Sequence, residues 1–516
     1  MSNLQLFSNH RGRQVPRTGA VNEAGGASYR RSPEATLALY AATGCLNGTF
    51  YADAQTQLDQ VVAMCDVVAP AFVARTAIYA RRHAHMKDMP ALLLAYLATR
   101  DGALLEKVFE RVIDNGRMLR NFVQILRSGA LGRKSLGTRP KRLVQQWLTR
   151  ATTEQLLAAA IGEQPSLADV IRMVHPQPQD AAREALYAWL IGKPYQAEAL
   201  PSKVREYEAF KADPAGEVPD LSFQYLTAMP LTTKQWAAIA VRSSWQATRM
   251  NLNTFLRKGV FENPAVVWQM AARLRSKEAI RKARVFPYQL MVAYRAASGA
   301  MPEAIADALQ DAMEIATAAV PKLSGQVALA IDVSGSMQSP VTGYRRGATS
   351  VVTCVEVAAL IAACIKRSNP GARVIPFADK VRELKLNARD SVMSQAREIA
   401  HMVGGGTCVS APLAQLNSER AAPDLLVIVS DNQSWMDTRK GGSTETMRQW
   451  AALKARNPAA RLVCIDLRPY ATSQAQEALD VLHIGGFSDA VFDLLASAVQ
   501  GNQSSRWVER IEAIEI

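Results

Sequence analysis

A change of hydrophobic period near residue 324 divides this chain in two. Between about residue 33 and 320, apolar residues recur at three- and four-residue spacings. Segments 34–42, 54–68, 70–82, 89–98, 104–113, 118–128 and 139–149 carry this pattern, which is that of amphipathic helices. Segments 178–191, 231–242, 263–273, 286–297 and 302–319 continue it, separated by turns containing Gly, Pro, Asn or Asp. Almost no strand-like alternation interrupts them. Many short helices on short connections predict stacked antiparallel pairs, an all-α body of helical repeats.

Beyond 324 the pattern is different. QVALAID (326–332) is a short apolar run that reads as a buried strand, and ARVIPFA (372–378), DLLVIVSD (424–431) and RLVCIDL (461–467) repeat the type. Helical patterns at 348–366, 390–402, 443–456 and 488–500 lie between or after them. Strands alternating with helices predict a parallel sheet covered on both faces, a doubly wound α/β domain. The tail RWVERIEAIEI (506–516) is expected to add an edge strand. Residues 1–30, polar and Gly-rich, read as an arm that packs on something else. The expected organisation is therefore an arm (1–30), a helical-repeat module (31–322) and an α/β domain (323–516).

In such α/β folds, ligands sit outside the C-terminal ends of the strands. QVALAIDVSGSMQS (326–339) places Asp332 at one such end, with Ser334 and Ser336 two and four residues later. A carboxylate and two hydroxyls are hard oxygen donors, suited to Mg²⁺ or Mn²⁺ rather than zinc. Two later strand-end segments can complete the set: Thr407 in HMVGGGTCVS and Asp431 in VIVSDNQSW. The loop has neither GxxxxGK[ST] nor GxGxxG, which argues against a phosphate cradle. DVSGS lacks the GxSxG elbow of a serine hydrolase, and neither His401 nor His483 has an evident carboxylate partner.

Charge separates the two parts. The chain carries a net +14, of which residues 321–516 hold 21 Lys/Arg against 19 Asp/Glu, leaving 39 against 27 in residues 1–320. A polyanionic partner is therefore expected on the first part. RNFVQILRSGALGRKSLGTRPKRLVQQWLTR (120–150) has eight Arg/Lys and no acidic residue, with Arg120 and Arg127 leading to Arg133, Lys134, Arg139, Lys141 and Arg142 in and just after a Gly-containing turn. Further clusters hold Arg81, His85 and Lys87, then Arg257 and Lys258, then Arg284. Aromatic residues accompany them, so single-stranded nucleic acid fits by charge and stacking. Core packing remains the commoner fate of those aromatics. No RRM, KH, zinc-finger or helix-turn-helix signature stands out.

MSNLQLFSNHRGRQ lacks the apolar segment of a signal peptide, and the longest apolar runs are too short to cross a bilayer. Six widely spaced cysteines without CxxC spacing suggest buried thiols in a reducing cytoplasm.

DVSGSM (332–337), Thr407 in GGGT and Asp431 in VSD are similar to the metal-ion-dependent adhesion site of von Willebrand factor type A domains. That resemblance assigns Asp332, Ser334, Ser336, Thr407 and Asp431 to a divalent metal, Mg²⁺ or Mn²⁺, with one position left for solvent or a partner's carboxylate. Over almost its whole length the chain resembles the Ro autoantigen family, whose helical part is the TROVE module. The segments that carry this are NEAGGASYRRSPEATLALYAATG (22–44), HMKDMP (85–90), LRSGALGR (126–133), NLNTFLRKGVF (251–261) and RVFPYQLMVAY (284–294). The length resembles the bacterial branch.

The resemblance implies a ring of HEAT-like helical pairs closed by the A domain. It implies a non-catalytic RNA-binding protein whose central hole takes the single-stranded 3′ ends of misfolded or defective non-coding RNA. Small structured Y RNAs would bind its outer basic surface, with polynucleotide phosphorylase as a bacterial partner. RNA quality control, ribosomal RNA maturation and stress survival are the expected roles. His85 and Lys87, and Arg127, Arg133 and Lys134, fall in stretches that match the family's RNA-contacting segments. The alternative from a different class is a protein-interaction scaffold with no RNA role.

Overall fold

The computed structural model describes residues 15–44, 46–162, 165–226, 229–283, 285, 287–296, 299, 301–318, 320–344, 352–387, 389–437, 442–488, 490–499 and 507–516. Two compact units emerge. One contains residues 1–68, 285–292 and 313–514, the other residues 69–284, 293–312 and 515–516.

Among the described residues the first unit holds eight strands: β1 (Ala20–Val21), β2 (Ala27–Arg30), β3 (Val327–Asp332), β4 (Arg373–Phe377), β5 (Leu425–Ser430), β6 (Arg461–Asp466), β7 (Thr472–Ser473) and β8 (Val481–Gly485). Five of them form one sheet in the order β4-β3-β5-β6-β8, every pair parallel. All residues of β3 and β5 are buried, which is why these strands read as continuous apolar runs rather than alternating ones. The helix Cys354–Ser368 begins with a Thr353/Glu356 capping box and buries eleven residues, Cys354–Val355 and Val357–Ile365. Its sequence is apolar nearly all round for that reason.

The four strands expected from sequence are present, and β8 joins them as a fifth. Its sequence, VLHIG, is buried throughout, yet its central histidine breaks the apolar run. The tail is not an edge strand: Trp507–Glu512 is helical, with Trp507 and Ile511 buried. Ile511 and Trp507 lie four residues apart on one face, and that 3.6-residue period outweighs the β-branched composition.

The structure also groups the N-terminus differently from the expected boundaries. Helices α1 (Pro33–Thr43) and α2 (Ala54–Val67) belong to the α/β unit. α1 starts with a Ser32 N-cap and Pro33 at N1, and buries every residue from Ala35 to Thr43. It packs on β8 and on the helix Trp507–Glu512. The fit is close at Gly485, where a Cβ would lie 2.4 Å from the Trp507 ring and 2.5 Å from Leu39. Gly485→Ala is therefore expected to cost about 1–3 kcal/mol by overpacking, measured as a lower urea midpoint; an unchanged midpoint would show that this packing can open freely. Upstream, β1 and β2 form a hairpin whose second strand pairs antiparallel with β7. The described part of the expected arm, residues 15–30, thus lies on the α/β domain.

The second unit begins with α3 (Pro70–Arg82), α4 (Asp88–Arg100), α5 (Gly102–Val112), α6 (Gly116–Arg127) and α7 (Thr138–Arg150). α3 packs on α4 and α5, α4 on α6, α5 on α7, and α6 on the helix Thr153–Ala160. Packing of each helix on the second one along is the topology of stacked pairs. The fold class is therefore the expected one, helical repeats with a doubly wound α/β domain.

Candidate metal centre and basic helical surface

The chain leaving β3 runs to β4 on one side and the chain leaving β5 runs to β6 on the other, so the crevice outside the β3 and β5 ends is the topological switch point. Ile331 is in register with Val429, which places Asp332 beside Ser430. The Ser430 hydroxyl donates to Asp332 Oδ2 at 2.5 Å, and the Ser334 amide donates to Asp332 Oδ1 at 2.8 Å. The Ser334 and Ser336 hydroxyls are 3.3 Å apart.

Neighbouring loops are pinned to this one. The Gly404 amide donates to Val333 O at 2.8 Å, and the Gly335 amide to Gly405 O at 3.0 Å. Gly404 and Gly405 both have positive φ, 141° and 87°, a backbone that side-chain-bearing residues rarely adopt. The GGGT run is thus what turns the chain so that Thr407 is delivered buried next to the crevice. The Thr407 carbonyl accepts from the amides of Trp435 and Met436, both at 3.2 Å. This ties its loop to the one that starts at Asp431.

Asp332 is fully buried and Asp431 is 3% exposed. Burial, then the charge of Asp431, pushes the Asp332 carboxyl up to about 7. Burial likewise raises Asp431, against the hydroxyl of Ser336 and the charge of Arg468. The Tyr51 phenol belongs to the same cluster: burial first, then Asp431 and Asp332, raise it to about 12, while Ser336 lowers it. Two facing buried carboxylates with adjacent hydroxyls are an arrangement that a hard divalent cation would relieve. Among the described residues no group of three or more His, Cys, Asp or Glu gathers into a metal site; the donors gathered here are carboxylate and hydroxyl oxygens, which are hard ligands. Asp332, Ser334, Ser336 and Asp431 come together directly; Thr407 is held beside them through its backbone.

Several residues of this crevice were not legible in sequence. Ser430 orients Asp332, though its position just before Asp431 in VSD is a usable signal. Arg31 pairs with Asp466 at 2.8 Å, and Asn432 Nδ2 donates to the same carboxylate. Asn22 Nδ2 donates to Ser434 O at 2.7 Å, and the Glu23 amide to Gln433 Oε1 at 2.9 Å. The N-terminal hairpin therefore braces the loop that follows Asp431.

On the helical unit, the expected cationic residues divide into structural and solvent-facing ones. Arg81 makes a two-pronged bond with Asp114, at 2.8 and 2.9 Å. Arg120, 8% exposed, donates to Ile161 O at 2.7 Å and Pro165 O at 3.3 Å, capping the end of the helix Thr153–Ala160. Arg133 is half-buried and donates to Ala98 O at 3.3 Å, near the C-terminus of α4. These three are committed to the fold.

His85, Lys87, Arg127, Lys134, Arg139, Arg142, Arg257 and Lys258 are exposed, and Lys141 is partly so. Residues 120–150 contain no acid, yet α5 supplies two: Glu106 meets Arg142 at 2.6 Å and Arg139 at 3.7 Å, and Glu110 meets Arg150. Such exposed pairs are weak and exchangeable. Lys258 lies over the Trp236 ring at 5.5 Å, and Arg257 donates to Asn253 O of its own helix at 3.3 Å. Lys87 has its pKa lowered by desolvation first, then by Arg117 and Arg81. Arg117, exposed at the start of α6, is a neighbouring cation outside the clusters expected from sequence. Arg284 lies outside the described residues. Phe122, Phe255 and Trp236 are buried in the core, so packing, not stacking on a ligand, claims these aromatics.

Among the described residues no helix is long and apolar enough to cross a membrane. Of the cysteines, Cys65, Cys354, Cys364 and Cys464 are buried thiols outside any disulfide and Cys408 is half-buried.

Residues 326–499 match the family model of the Ro60 vWA domain. The chain is 26% identical to the RNA-binding protein RO60 of Deinococcus radiodurans, over 93% of this chain and 95% of that protein. It is 25% identical to the RNA-binding protein RO60 of Caenorhabditis elegans, over 44% of this chain and 36% of that one. The crystal structure of the Deinococcus radiodurans RO (RSR) protein superposes with a TM-score of 0.61 at 22% identity, covering 91% of this chain and all of the other. At that identity the superposition speaks for the fold. The resemblance first carried by the motifs thus extends over both parts of the chain.

Proposed function

We propose that this chain, a relative of the Ro proteins along most of its length, is a non-catalytic RNA-binding protein of the cytoplasm. The observation that carries the reading is a helical unit whose solvent-facing cations Lys134, Arg139, Lys141 and Arg142 cluster around one turn, in a chain with two relatives that are named RNA-binding proteins. Lysine and arginine on such a surface contact backbone phosphates, which set affinity rather than sequence choice.

In the finer reading, the helical surface accepts single-stranded 3′ ends of misfolded or defective non-coding RNA, and structured Y RNAs bind other cations of the same unit. An exoribonuclease such as polynucleotide phosphorylase acts on what is held. Discrimination comes from an accessible end, since no RRM, KH, zinc-finger or helix-turn-helix signature stands out in the sequence. Competition between a duplex with a 3′ single-stranded overhang and the same duplex blunt-ended tests this. The overhang is expected to bind at least about tenfold tighter, the scale of one stacked base. Equal affinity at physiological salt would falsify the end-recognition reading.

The α/β domain serves a separate role in this reading. Asp332, Ser334, Ser336, Thr407 and Asp431 hold Mg²⁺ or Mn²⁺, and the open position receives the carboxylate of an acidic protein partner. The facing buried carboxylates support it. Calorimetric titration of Mg²⁺ and Mn²⁺ into the full chain is the direct check.

A further inference from the structure

The crevice that holds Asp332 and Asp431 contains one more charge, which neither the metal ligand set nor the RNA reading uses. Arg468 lies two residues beyond the end of β6. Its neighbour Leu467 donates its amide to Ser430 O at 3.2 Å, so the segment enters the crevice beside the residue that precedes Asp431. Arg468 is 2% exposed, and its Nε and Nη2 meet no hydrogen-bond acceptor among the described residues. Ser430 in turn donates its hydroxyl to Asp332 Oδ2 and immediately precedes Asp431, so the chain at Arg468 enters beside both carboxylates, and its charge lowers the Asp431 carboxyl and the buried Cys354 thiol. A buried guanidinium with idle donors is costly unless opposite charge faces it.

The ionic groups of this crevice make its role plain. Arg31 and Asp466, 6% and 2% exposed at the side chain, compensate each other. Asp332, Asp431 and Arg468 remain. With both carboxylates ionised, these three carry one negative charge in excess; with a divalent cation added, one positive. Without Arg468 the balance would be two negative charges and then none. We propose that Arg468 is the resident counter-cation of this site, a positioning residue that stabilises the metal-free crevice and weakens its hold on a divalent ion. The proposal rests on the metal-site reading above. It adds that the site is tuned for reversible occupancy by a charge built into the chain.

The test uses the full chain, with Mg²⁺ and Mn²⁺ affinity measured by calorimetry and thermal unfolding measured with and without the ion. Arg468→Met keeps most of the side-chain length and removes the charge. Its expected behaviour is a divalent Kd about tenfold lower, the scale of one charge interaction in a partly screened interior, with a lower Tm in the absence of metal and a larger Tm gain on adding it. Arg468→Lys keeps the charge and is expected to stay close to the unsubstituted chain in affinity. Should Arg468→Met not fold, Arg468→Gln gives the same comparison with a polar, uncharged head. A lower metal-free Tm with unchanged or weaker metal affinity makes Arg468 a merely structural residue and overturns the proposal. Absence of both heat and Tm shift for the unsubstituted chain would instead overturn the metal site itself.

Discussion

Asp332→Asn is expected to lower divalent-cation affinity by about a hundredfold or more, because it removes one of two ionised carboxylates from a site with little solvent to replace it. The same variant is expected to be no less stable than the unsubstituted chain when metal is absent, since it also removes the repulsion between Asp332 and Asp431. The pH dependence follows from the direction of the shift. The carboxyl of Asp332 is raised from 3.8 to about 7, so between these values the folded chain holds a proton that the unfolded chain has released. Metal-free stability therefore falls as pH rises from about 4 to about 7 and then levels. Metal binding needs the ionised carboxylate, so affinity rises over the same interval. Asp332→Asn should flatten both trends. Thermal unfolding at several pH values, with and without Mg²⁺, reads all three effects. A variant that still binds Mg²⁺ normally removes Asp332 from the ligand set. Loss of RNA binding in a folded Asp332→Asn variant would contradict the separation of the two roles.

The second large effect concerns the basic surface. Replacing Lys134, Arg139, Lys141 and Arg142 together by Gln is expected to lower RNA affinity by roughly two to three orders of magnitude at moderate salt. The logarithmic salt slope should fall by about 0.7 for each single-strand phosphate that is no longer neutralised. Arg120 and Arg133 are left in place because they cap helix ends, and Arg81 because it is tied to Asp114; changing these would confuse folding with binding. The pairs with Glu106 do not protect Arg139 and Arg142 from use, since exposed ion pairs contribute at most about 1 kcal/mol and open readily. Affinity measured at several salt concentrations decides the matter. An unchanged slope in a folded variant would show that RNA lies elsewhere, with Lys87, just before α4, and Arg117, in the first turn of α6, the next group to neutralise.

These two experiments draw on different depths of the sequence. The grouping of Asp332 with Ser334 and Ser336 was legible because a short apolar run ending in Asp-x-Ser-x-Ser encodes both a strand and the loop that follows it. Ser334 and Ser336 lie so near Asp332 in sequence that local geometry brings them to one point. Thr407 and Asp431 were legible because each follows a recognisable local pattern, a glycine run and a strand end. The helical body was legible for a similar reason: capping residues such as Ser32, Asp53 and Thr152 and the 3.6-residue period are properties of neighbours.

Which cations are free, and which elements pack together, is set by distant parts of the chain. Residues 120–150 contain no acid, yet Glu106 reaches Arg142 from 36 residues away, and Arg120 spends its charge on carbonyls 41 and 45 residues downstream. α1 has the pattern of any buried helix, and nothing within it says that β8 and Trp507 are its neighbours. Arg31 meets Asp466 across 435 residues, and Arg468 stands near Ser430 and Asp431 only because β6 lies beside β5. The two fold classes and the grouping of Asp332 with Ser334 and Ser336 could be read before any folding, because each is written in residues a few positions apart. The assignment of buried charge, and with it the distinction between cations that hold the fold and cations open to a ligand, depended on partners brought together by strand order and helix stacking.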